Sequence, residues 1–309
     1  MNALIWNIRS VNTQGAFERI IEMQRKYHFH FIGIMEPMQQ SRKLEKYNRK
    51  IGFTQAIVNS SNKIWAFIDE RFYVIVVIDM VQCLTLKLYD TEDHKEFILT
   101  LVYAKCDHIE RIELWDSLYY LARYMTTPWL VGGDFNVIWD EEEKFGGLLV
   151  SLNEVDDFRH CMNTCNLTDM GFKGSIYTWW NGRAEKDCIL KRLDRVFANM
   201  ELQQLWTGLE ITHLSKIGSD HCPLLLTYNP DLVPIKKSFR FLKFWTKHES
   251  YKAVVKENWQ ADFHANPFFL FNPKIKRLKK ALSTWGRAIF GDIFQKIDSL
   301  EEVVRVHEA

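Results

Sequence analysis

Five short polar motifs, almost all of them at the end of an apolar, strand-like run, constrain the fold of this chain more than any other feature. They are Trp6-Asn7, Met35-Glu36, Gly132-Gly133-Asp134-Phe135-Asn136, Arg192-Leu193-Asp194 and Ser219-Asp220-His221. Side chains at strand ends converge on one rim of a sheet, which is where α/β proteins place their ligands. The pattern therefore predicts an α/β fold in which motifs spread over more than 200 residues meet at one site.

The periodicity of apolar residues predicts an element order that suits such a fold. We expect strands at residues 3–8, 29–35, 53–58, 64–68, 73–79, 83–89, 97–103, 129–135, 177–180, 189–197 and 222–228, and helices at 14–27, 109–125 and 153–165, the last with Asn153 as N-cap. The opening strand–helix–strand unit predicts adjacent parallel strands with a right-handed crossover. The β-rich runs between residues 53 and 103 predict a meander of antiparallel strands. Together they indicate two sheets with helices outside.

The C-terminal part of the chain differs in composition. A boundary is expected at Tyr228-Asn229-Pro230-Asp231, which predicts one domain over residues 1–230 and a basic helical extension over 231–309. Helices are expected at 241–262 and 273–308, joined by a Pro- and Phe-rich link at 266–273. Residues 235–309 hold 15 Lys+Arg and 8 Asp+Glu, whereas residues 1–234 hold 25 and 31. This asymmetry fits either an acidic metal-binding part beside a basic part that contacts nucleic acid, or a solvated Lys-rich tail.

Composition and cysteine spacing exclude several classes of protein. With 47% hydrophobic and 26% charged residues, the sequence is typical of a soluble globular protein. Its longest apolar stretches are too short to span a bilayer, so no membrane partner is expected. The six cysteines form no CxxC pair and no zinc-type spacing, and no signal peptide is evident. We therefore expect an intracellular protein with free thiols.

Gly132-Gly133-Asp134-Phe135-Asn136 carries the strongest chemical signal. The glycines let the backbone bend tightly where the strand ends. Asp134 and Asn136 are two residues apart, so in an extended chain they share one face while Phe135 packs inward. A carboxylate beside an amide can orient and deprotonate a water molecule. The alternative interpretation is an ordinary Gly-Asp turn.

Ser219-Asp220-His221 carries the second signal. A histidine at a strand start can hydrogen-bond a phosphoryl oxygen and, when protonated, stabilise developing negative charge. Such a histidine needs an orienting partner, and Asp194 is the candidate. The alternative interpretation is surface turn chemistry.

Oxygen-bearing side chains also follow three of the apolar runs. Asn7 and Glu36 offer the hard oxygen ligands that suit Mg²⁺ or Mn²⁺. Tyr103 ends the run at 97–103 and is either a phosphate contact or a core tyrosine. Taken singly, each could equally be a structural or solvated residue. Combined with Asp134 and His221, they predict metal-assisted cleavage of a phosphate ester.

Two further segments bear on a nucleic-acid substrate. Tyr177-Thr178-Trp179-Trp180-Asn181 places aromatic faces among polar groups, either to stack against bases or to close a sheet edge. A predicted C-terminal helix carries a basic run, for phosphate contacts or as a solvated face. The run consists of Lys274, Lys276, Arg277, Lys279 and Lys280.

In chain order, these motifs resemble those of the endonuclease/exonuclease/phosphatase (DNase I-like) superfamily over about residues 1–228. The endonuclease of plant non-LTR (LINE-type) retrotransposons is the most similar, through Trp6-Asn7-Ile8-Arg9, Tyr177-Thr178-Trp179-Trp180-Asn181 and Arg192-Leu193-Asp194-Arg195-Val196-Phe197. The tail resembles the connector before reverse transcriptase, through Phe239-Arg240-Phe241, Trp245, Lys276-Arg277-Leu278-Lys279-Lys280 and Phe290-Gly291-Asp292. Because no reverse transcriptase follows in this sequence, we expect a truncated product of such an element.

The resemblance implies a four-layer α/β sandwich, with two packed mixed β-sheets flanked by helices and a C-terminal helical extension. It implies a divalent-metal-dependent endonuclease that nicks DNA and leaves a 3′-hydroxyl and a 5′-phosphate. Mg²⁺ is the implied metal, with Mn²⁺ as the alternative. Glu36 would be the main metal ligand, with Asn7 close by and Asp220 assisting the metal or the leaving group.

The remaining roles also come from the resemblance. Asp134 would orient or deprotonate the attacking water with help from Asn136. His221 would contact the scissile phosphate, with Asp194 fixing its tautomer, and Tyr103 would bind the phosphate. The implied substrate-binding residues are Thr178, Asn181, Trp180 and Arg9.

Three positions depart from the family pattern. Arg9 stands where abasic-site endonucleases carry Asp, which argues against abasic-site repair. Ser10 stands where the related elements usually have Gly. Pro37 stands where many family members have Thr, so we expect the support of Glu36 to differ from that in the family. The catalytic positions are filled, so we expect an active enzyme, nuclear if it acts on chromosomal DNA. The alternatives are a phosphatase or phosphodiesterase acting on a small phosphoester and a catalytically silent remnant that binds nucleic acid.

Overall fold

The computed structural model describes residues 1–13, 15–183, 187–229, 241, 243–259, 267–291, 296, 299–300 and 303. The chain forms two compact units, Met1–Val233 with Asp298–Ala309 and Pro234–Ile297. The expected boundary falls largely on residues 230–240, which lie outside the described part, as do residues 260–262 and most of 292–308 of the two expected tail helices. The division into domains 1–230 and 231–309 stays a prediction.

Strands and helices alternate through the first unit, as the sequence predicts for an α/β protein. The strands are β1 (Asn2–Asn7), β2 (Phe31–Met35), β3 (Gln55–Val58), β4 (Ile64–Ile68), β5 (Phe72–Asp79), β6 (Cys83–Asp90), β7 (Lys95–Tyr103), β8 (Trp129–Asp134), β9 (Lys144–Phe145), β10 (Thr168–Asp169), β11 (Trp179–Trp180), β12 (Leu190–Lys191), β13 (Asp194–Ala198), β14 (Leu209–His213) and β15 (Leu224–Tyr228). The helices are α1 (Ala16–Tyr27), α2 (Leu44–Ile51), α3 (Ile112–Ala122), α4 (Leu152–Thr164), α5 (Met200–Leu205), α6 (Tyr251–Asn258) and α7 (Pro267–Phe290).

Two six-stranded sheets carry the fold. The first has the order β14-β15-β1-β2-β4-β3 and the second β10-β13-β8-β7-β6-β5. Each sheet contains one parallel pair, β1 with β2 and β7 with β8, and is otherwise antiparallel. Both sheets are therefore mixed, and the predicted parallel β1–α1–β2 unit is confirmed. A small third sheet has the order β11-β12-β9.

Four layers follow from the faces that these elements bury. The strands of both sheets contribute to the central core, for example Ile5 and Phe31 from the first and Leu101 and Leu130 from the second. The outer face of the first sheet packs on α1 and α2, and the outer face of the second on α3 and α4. The predicted sandwich of two packed mixed sheets between helices is confirmed.

Several local predictions differ from the structure. The runs between residues 53 and 103 do not form one meander, because β3 and β4 pair within the first sheet and only β5, β6 and β7 form consecutive antiparallel strands of the second. Helix α4 begins one residue earlier than predicted, with Ser151 rather than Asn153 at the N-cap. The sequence did not predict α2, α5, β9, β10 and β14, and the single strand predicted at 189–197 is divided into β12 and β13. Helix α2 is hard to see because its apolar face is narrow, with only three buried residues in eight.

Aromatic contacts define the core of the second unit. Trp285 of α7 contacts the rings of Trp245, Tyr251 and Phe290 at centroid distances of 5.6–6.0 Å. The predicted link at 266–273 is wrong from Pro267 onward, since the helix begins there and continues through Pro273. A proline at the first helical position costs no hydrogen bond. Within the described ranges, no helix has both the length and the apolar character needed to cross a membrane.

Candidate active site

The carboxyl ends of two parallel strand pairs bring the predicted polar residues to one rim. Asn7 ends β1, and Glu36 directly follows its parallel neighbour β2. Tyr103 ends β7 and lies in register with Asp134, which ends β8. Asp194 begins the antiparallel strand β13 opposite Asp134. Strand register aligns the residues within each sheet, and the packing of the two sheets brings motifs almost 190 residues apart to one rim.

Asp134 lies at the centre of this rim and is 1% exposed. Its Oδ2 accepts a hydrogen bond from Asn7 Nδ2 at 2.9 Å, and its Oδ1 accepts one from the backbone N–H of Asn136 at 3.0 Å. Both carboxylate oxygens are therefore held in place. The preceding Gly133 has φ +149°, and a Cβ there would lie 2.0 Å from the carbonyl oxygen of Val102. Only glycine lets β8 approach β7 this closely.

His221 and Asp194 form a buried pair beside Asp134. His221 Nδ1 lies 2.9 Å from Asp194 Oδ2, and His221 Nε2 lies 3.9 Å from Asp134 Oδ2. With Nδ1 donating to Asp194, Nε2 points toward the Asp134 carboxylate. Trp6 Nε1 donates to the His221 carbonyl oxygen at 3.0 Å, which fixes the backbone of the Ser219-Asp220-His221 motif against β1.

The charges of these groups shift one another's pKa values. Burial lowers the pKa of His221, but the carboxylates of Asp194 and Asp134 outweigh burial and raise it to about 9. Burial raises the pKa of Asp134, the His221 charge lowers it, and the net result is about 6. At neutral pH, an ionised Asp134 therefore faces a protonated His221.

Glu36 stands on the first sheet in a strained, enclosed position. It is 9% exposed, and its φ of +49° is unusual for a residue other than glycine. Its N–H donates to the Lys63 carbonyl oxygen at 2.8 Å, and Lys63 Nζ lies 3.8 Å from its carboxylate. Burial and then the hydrogen bond to Glu36 raise the pKa of Tyr103, so its hydroxyl stays protonated.

Two groups of side chains could hold a divalent cation. The carboxylate of Glu36, near the end of β1 where Asn7 lies, fits a hard cation because it is nearly buried and its cationic partner Lys63 is not in tight contact. The ligand atoms of Asp134, Asp194 and His221 lie within 4.8 Å of one another. Within that second group His221 and Asp194 are joined by a hydrogen bond, and the Glu36 carboxylate accepts one from Tyr103. Both groups are therefore candidates for a cation site.

Asp220 is already engaged by protein groups. Its Oδ2 accepts hydrogen bonds from Arg9 Nη1 at 2.6 Å and from Trp179 Nε1 at 3.0 Å. The Arg9 side chain remains about half exposed, and its φ is +51°. Asp220, which the family resemblance implies as a residue that assists the metal or the leaving group, is therefore paired with Arg9 in the structure.

The predicted substrate-binding residues of the aromatic motif use their polar atoms within the protein. Thr178 is 0% exposed, and its hydroxyl oxygen accepts from the N–H groups of Leu193 and Asp194 at 2.9 and 3.0 Å. Asn181 bonds the backbone of Ile189 and Asp187 and so closes its own loop. Trp180 Nε1 donates to the Arg183 carbonyl oxygen. Thr178 therefore positions Asp194, whereas the face of Trp180 is only partly covered.

Sequence reasoning missed Arg111, a buried arginine that contacts the segment after Asp134. Its Nη1 donates to the carbonyl oxygen of Asn136 at 2.7 Å and to those of Lys105 and Cys106 at 3.1 Å. Its Nη2 donates to Glu154 at 2.6 Å. This guanidinium ties the segment after β7 to the segment after β8. Nothing in the local sequence indicates it, because its partners lie on three separate segments.

A second missed feature is an ionic cluster next to Asp194. Arg192 and Arg195 lie on either side of Leu193 and Asp194 in the sequence, and both pair with Glu143 and Asp169. All four side chains are at least three-quarters buried. Buried pairs of this kind are costly to break because one charge would remain uncompensated. The cluster joins β13 to the start of β9 and so to the small third sheet.

Solved structures of known proteins share this fold. The AP endonuclease LMAP from Leishmania major is 13% identical, with a TM-score of 0.59 over 74% of this chain and 88% of its own. The endonuclease domain of TRAS1, a telomere-specific non-LTR retrotransposon, is 15% identical, with a TM-score of 0.56 over 74% and 99%. The 3′ phosphatase NExo from Neisseria, bound to product DNA hairpin, is 14% identical, with a TM-score of 0.56 over 74% and 99%.

No protein-family model and no curated protein matches the sequence. The structural likeness shows that the chain has the DNase I-like fold of the endonuclease/exonuclease/phosphatase proteins. The predicted fold-level resemblance is thereby confirmed.

Proposed function

We propose that this protein is a divalent-metal-dependent endonuclease that hydrolyses DNA phosphodiester bonds and leaves a 3′-hydroxyl and a 5′-phosphate. The observation that carries the proposal is the buried His221–Asp194 pair facing Asp134 on the same rim as Glu36. Each member matches one requirement of phosphodiester hydrolysis: a base for water, a cationic partner for the phosphate and an oxygen ligand for a metal.

Asp134 is the group that activates the attacking water. Its two hydrogen bonds, from Asn7 and Asn136, fix the carboxylate without neutralising its charge. An ionised carboxylate in that orientation accepts a proton from water as the water attacks phosphorus. Asp134→Asn removes the negative charge and the basic oxygen that accepts the proton, while keeping the shape of the side chain.

His221 and Tyr103 serve the phosphate itself. A protonated His221, held by Asp194, can donate from Nε2 to a non-bridging phosphoryl oxygen, where charge develops in the transition state. The Tyr103 hydroxyl stays protonated and is a second donor at the same rim. Because both donors are positioned by the fold beforehand, they need no reorganisation during reaction.

Glu36 with Asn7 would hold Mg²⁺ or Mn²⁺, with Asp220 nearby. When bound, such an ion supplies Lewis-acid stabilisation of the phosphate and of the leaving oxygen. The carboxylate of Glu36 is nearly buried, and the Nζ atom of Lys63 lies 3.8 Å from it.

DNA is the substrate that the comparisons favour. One similar protein is an AP endonuclease, one is a retrotransposon endonuclease domain and one is bound to product DNA. The motifs shared with LINE-type endonucleases point the same way. The Arg9 side chain pairs with Asp220 but stays about half exposed at the rim, so its guanidinium can also contact a phosphate. Chromosomal DNA would place the enzyme in the nucleus.

The test is nicking of supercoiled plasmid by purified protein in the presence of Mg²⁺. We expect conversion to open circle, abolished by EDTA and reduced at least about 1000-fold in Asp134→Asn and His221→Ala. The matched control is Asp157→Asn, an exposed carboxylate on α4, which should leave nicking unchanged. Equal nicking by all four proteins would overturn the assignment. Release of inorganic phosphate from a small ester without nicking would favour the small-phosphoester alternative.

A further inference from the structure

The small third sheet is hydrogen-bonded directly to the catalytic histidine segment. The N–H of Trp180 donates to the Asp220 carbonyl oxygen at 3.1 Å, and the N–H of Cys222 donates to the Thr178 carbonyl oxygen at 2.7 Å. Trp179 and His221 thus form an isolated antiparallel bridge. Side chains on this sheet are therefore held at a fixed position relative to His221.

One face of this sheet carries two lysines and a tryptophan in a row. Trp179 on β11 lies opposite Lys191 on β12, and Lys191 lies opposite Lys144 on β9. Residues directly opposite one another on neighbouring strands project from the same face of a sheet, with their Cβ atoms about 5 Å apart. Lys191 Nζ lies 5.9 Å from the ring centroid of Trp179, whose Nε1 donates to Asp220. The row therefore begins at the catalytic motif and leads away from it.

The ammonium groups of Lys144 and Lys191 are not held by ion pairs with carboxylates of the described residues, unlike those of some other lysines. Lys63, Lys87 and Lys173 all pair with a glutamate within 4.0 Å. Among the described residues, neither Lys144 nor Lys191 has such a pair. The carboxylate of Glu154, the acidic group that acts most on Lys191, is already bonded to Arg111 at 2.6 Å.

The row is also an unfavourable arrangement in the absence of an anion. Both lysines are partly buried, and like charges directly opposite one another in a sheet destabilise it. Burial, followed by the positive charge of Lys144, lowers the pKa of Lys191.

The turn that ends β9 is packed tightly against the segment before β12. Gly146 in this turn has φ +70°, and a Cβ there would lie 2.1 Å from the Cys188 carbonyl oxygen.

We propose that Lys144 and Lys191 bind one phosphate of the substrate strand beside the scissile one, so that the enzyme selects a polynucleotide over an isolated phosphodiester. This inference rests on the proposed endonuclease activity. Lysines at directly opposed positions have Cβ atoms about 5 Å apart, and their flexible side chains can bring both ammonium groups to one phosphate as point charges. The partly exposed ring of Trp179 lies between that phosphate and the catalytic motif. A small ester has no second phosphate and gains nothing from the pair.

The experiment compares Lys144→Gln, Lys191→Gln and the double variant with the wild type. Binding of a fluorescent 20-base-pair duplex is measured by anisotropy in EDTA, where no cleavage occurs, over a series of salt concentrations. Losing one phosphate contact should lower the slope of log K against log salt by about 0.9. We expect that loss in the double variant, together with an increase of about 10-fold in Kd.

Kinetics provide the second readout. In Mg²⁺, the double variant should show an increased KM for the duplex and a nearly unchanged kcat, because the pair acts on binding and not on the reacting bond. Turnover of bis(p-nitrophenyl) phosphate should equal that of the wild type. Lys191→Arg should restore most of the duplex affinity. The control is Lys95→Gln, which lies eight residues from Tyr103 at the opposite end of β7 and should behave as the wild type.

The outcomes separate the two proposals. A wild type that cleaves neither duplex nor ester would refute the endonuclease proposal. A wild type that nicks DNA, with a double variant of unchanged salt slope and KM, would overturn the lysine pair alone. An equal loss of ester and duplex turnover in the double variant would also overturn it, because the lysines would then act on the reacting phosphate or on folding.

Discussion

At the scale of single residues, the site depends on a few groups whose charge states are set by their neighbours. Asp134 and His221 are both almost fully buried, and each influences the pKa of the other. The sequence identifies these two residues because their motifs are local strings. It does not identify Lys63 or Arg111, whose relevance arises only from partners brought close by folding.

The first prediction concerns pH. Asp134 must be ionised to accept a proton, so kcat/KM should rise as pH increases through about 6. His221 must be protonated to donate, so kcat/KM should fall as pH increases through about 9. The two limbs belong to the coupled pair as a whole. A nicking profile from pH 5 to 10 would test this, and Asp194→Asn should move the alkaline limb to lower pH because it removes the carboxylate that most raises the pKa of His221.

The second prediction concerns Thr178. Its fully buried hydroxyl oxygen accepts from two backbone N–H groups, including that of Asp194. Thr178→Val keeps the volume but leaves both donors unsatisfied, which should cost about 2–4 kcal/mol of unfolding free energy. Thr178→Ser keeps the acceptor and should cost less than half as much. Urea denaturation of both variants measures the difference, and an equal or larger loss in Thr178→Ser would contradict the prediction, because the methyl group would then contribute at least as much as the hydroxyl.

At the scale of elements, strand register determines which residues meet. The opening β1–α1–β2 unit is predictable because its strands are continuous apolar runs and its helix shows a clear helical spacing of apolar residues. The allocation of β3 and β4 to the first sheet is not, because an isolated β-rich run carries no information on which sheet it joins. Short elements such as α5 and β9 depend on tertiary contacts. The sequence therefore predicts strands at β11 and β12 but not β9 or the pairing of the three into a small third sheet, which carries the lysine pair.

The third prediction concerns the close approach of β7 and β8. Gly133→Ala would place a Cβ 2.0 Å from the Val102 carbonyl oxygen at a φ of +149°. The strands would have to separate, so we expect a loss of at least about 3 kcal/mol and a loss of nicking, because Asp134 follows directly. Gly171→Ala is the control: its φ is +68°, but nothing lies within 4 Å of the added Cβ. It should cost only about 1 kcal/mol in urea denaturation.

At the scale of the whole molecule, the sandwich joins two sheets at the rim that holds the site. The Asn7–Asp134 hydrogen bond connects β1 of the first sheet with β8 of the second. The four-layer architecture could be predicted from the order of the motifs, because a resemblance over more than 200 residues constrains the topology. The side-chain network around Arg111 and the ionic cluster beside Asp194 could not, because they depend on the packing of distant loops.

The last prediction links metal binding to the stability of the whole fold. A ligand that binds only the folded state stabilises it by about 2.7 kcal/mol at 100 times its Kd. If Glu36 holds the cation, Mg²⁺ should raise the Tm of the wild type, and Glu36→Gln should abolish the increase while leaving the metal-free Tm similar or higher, since a nearly buried charge is removed. Glu113→Gln, a carboxylate in the first turn of α3, is the control and should keep the full increase. An increase that survives Glu36→Gln but disappears in Asp194→Asn would place the cation at the Asp134–Asp194–His221 group instead.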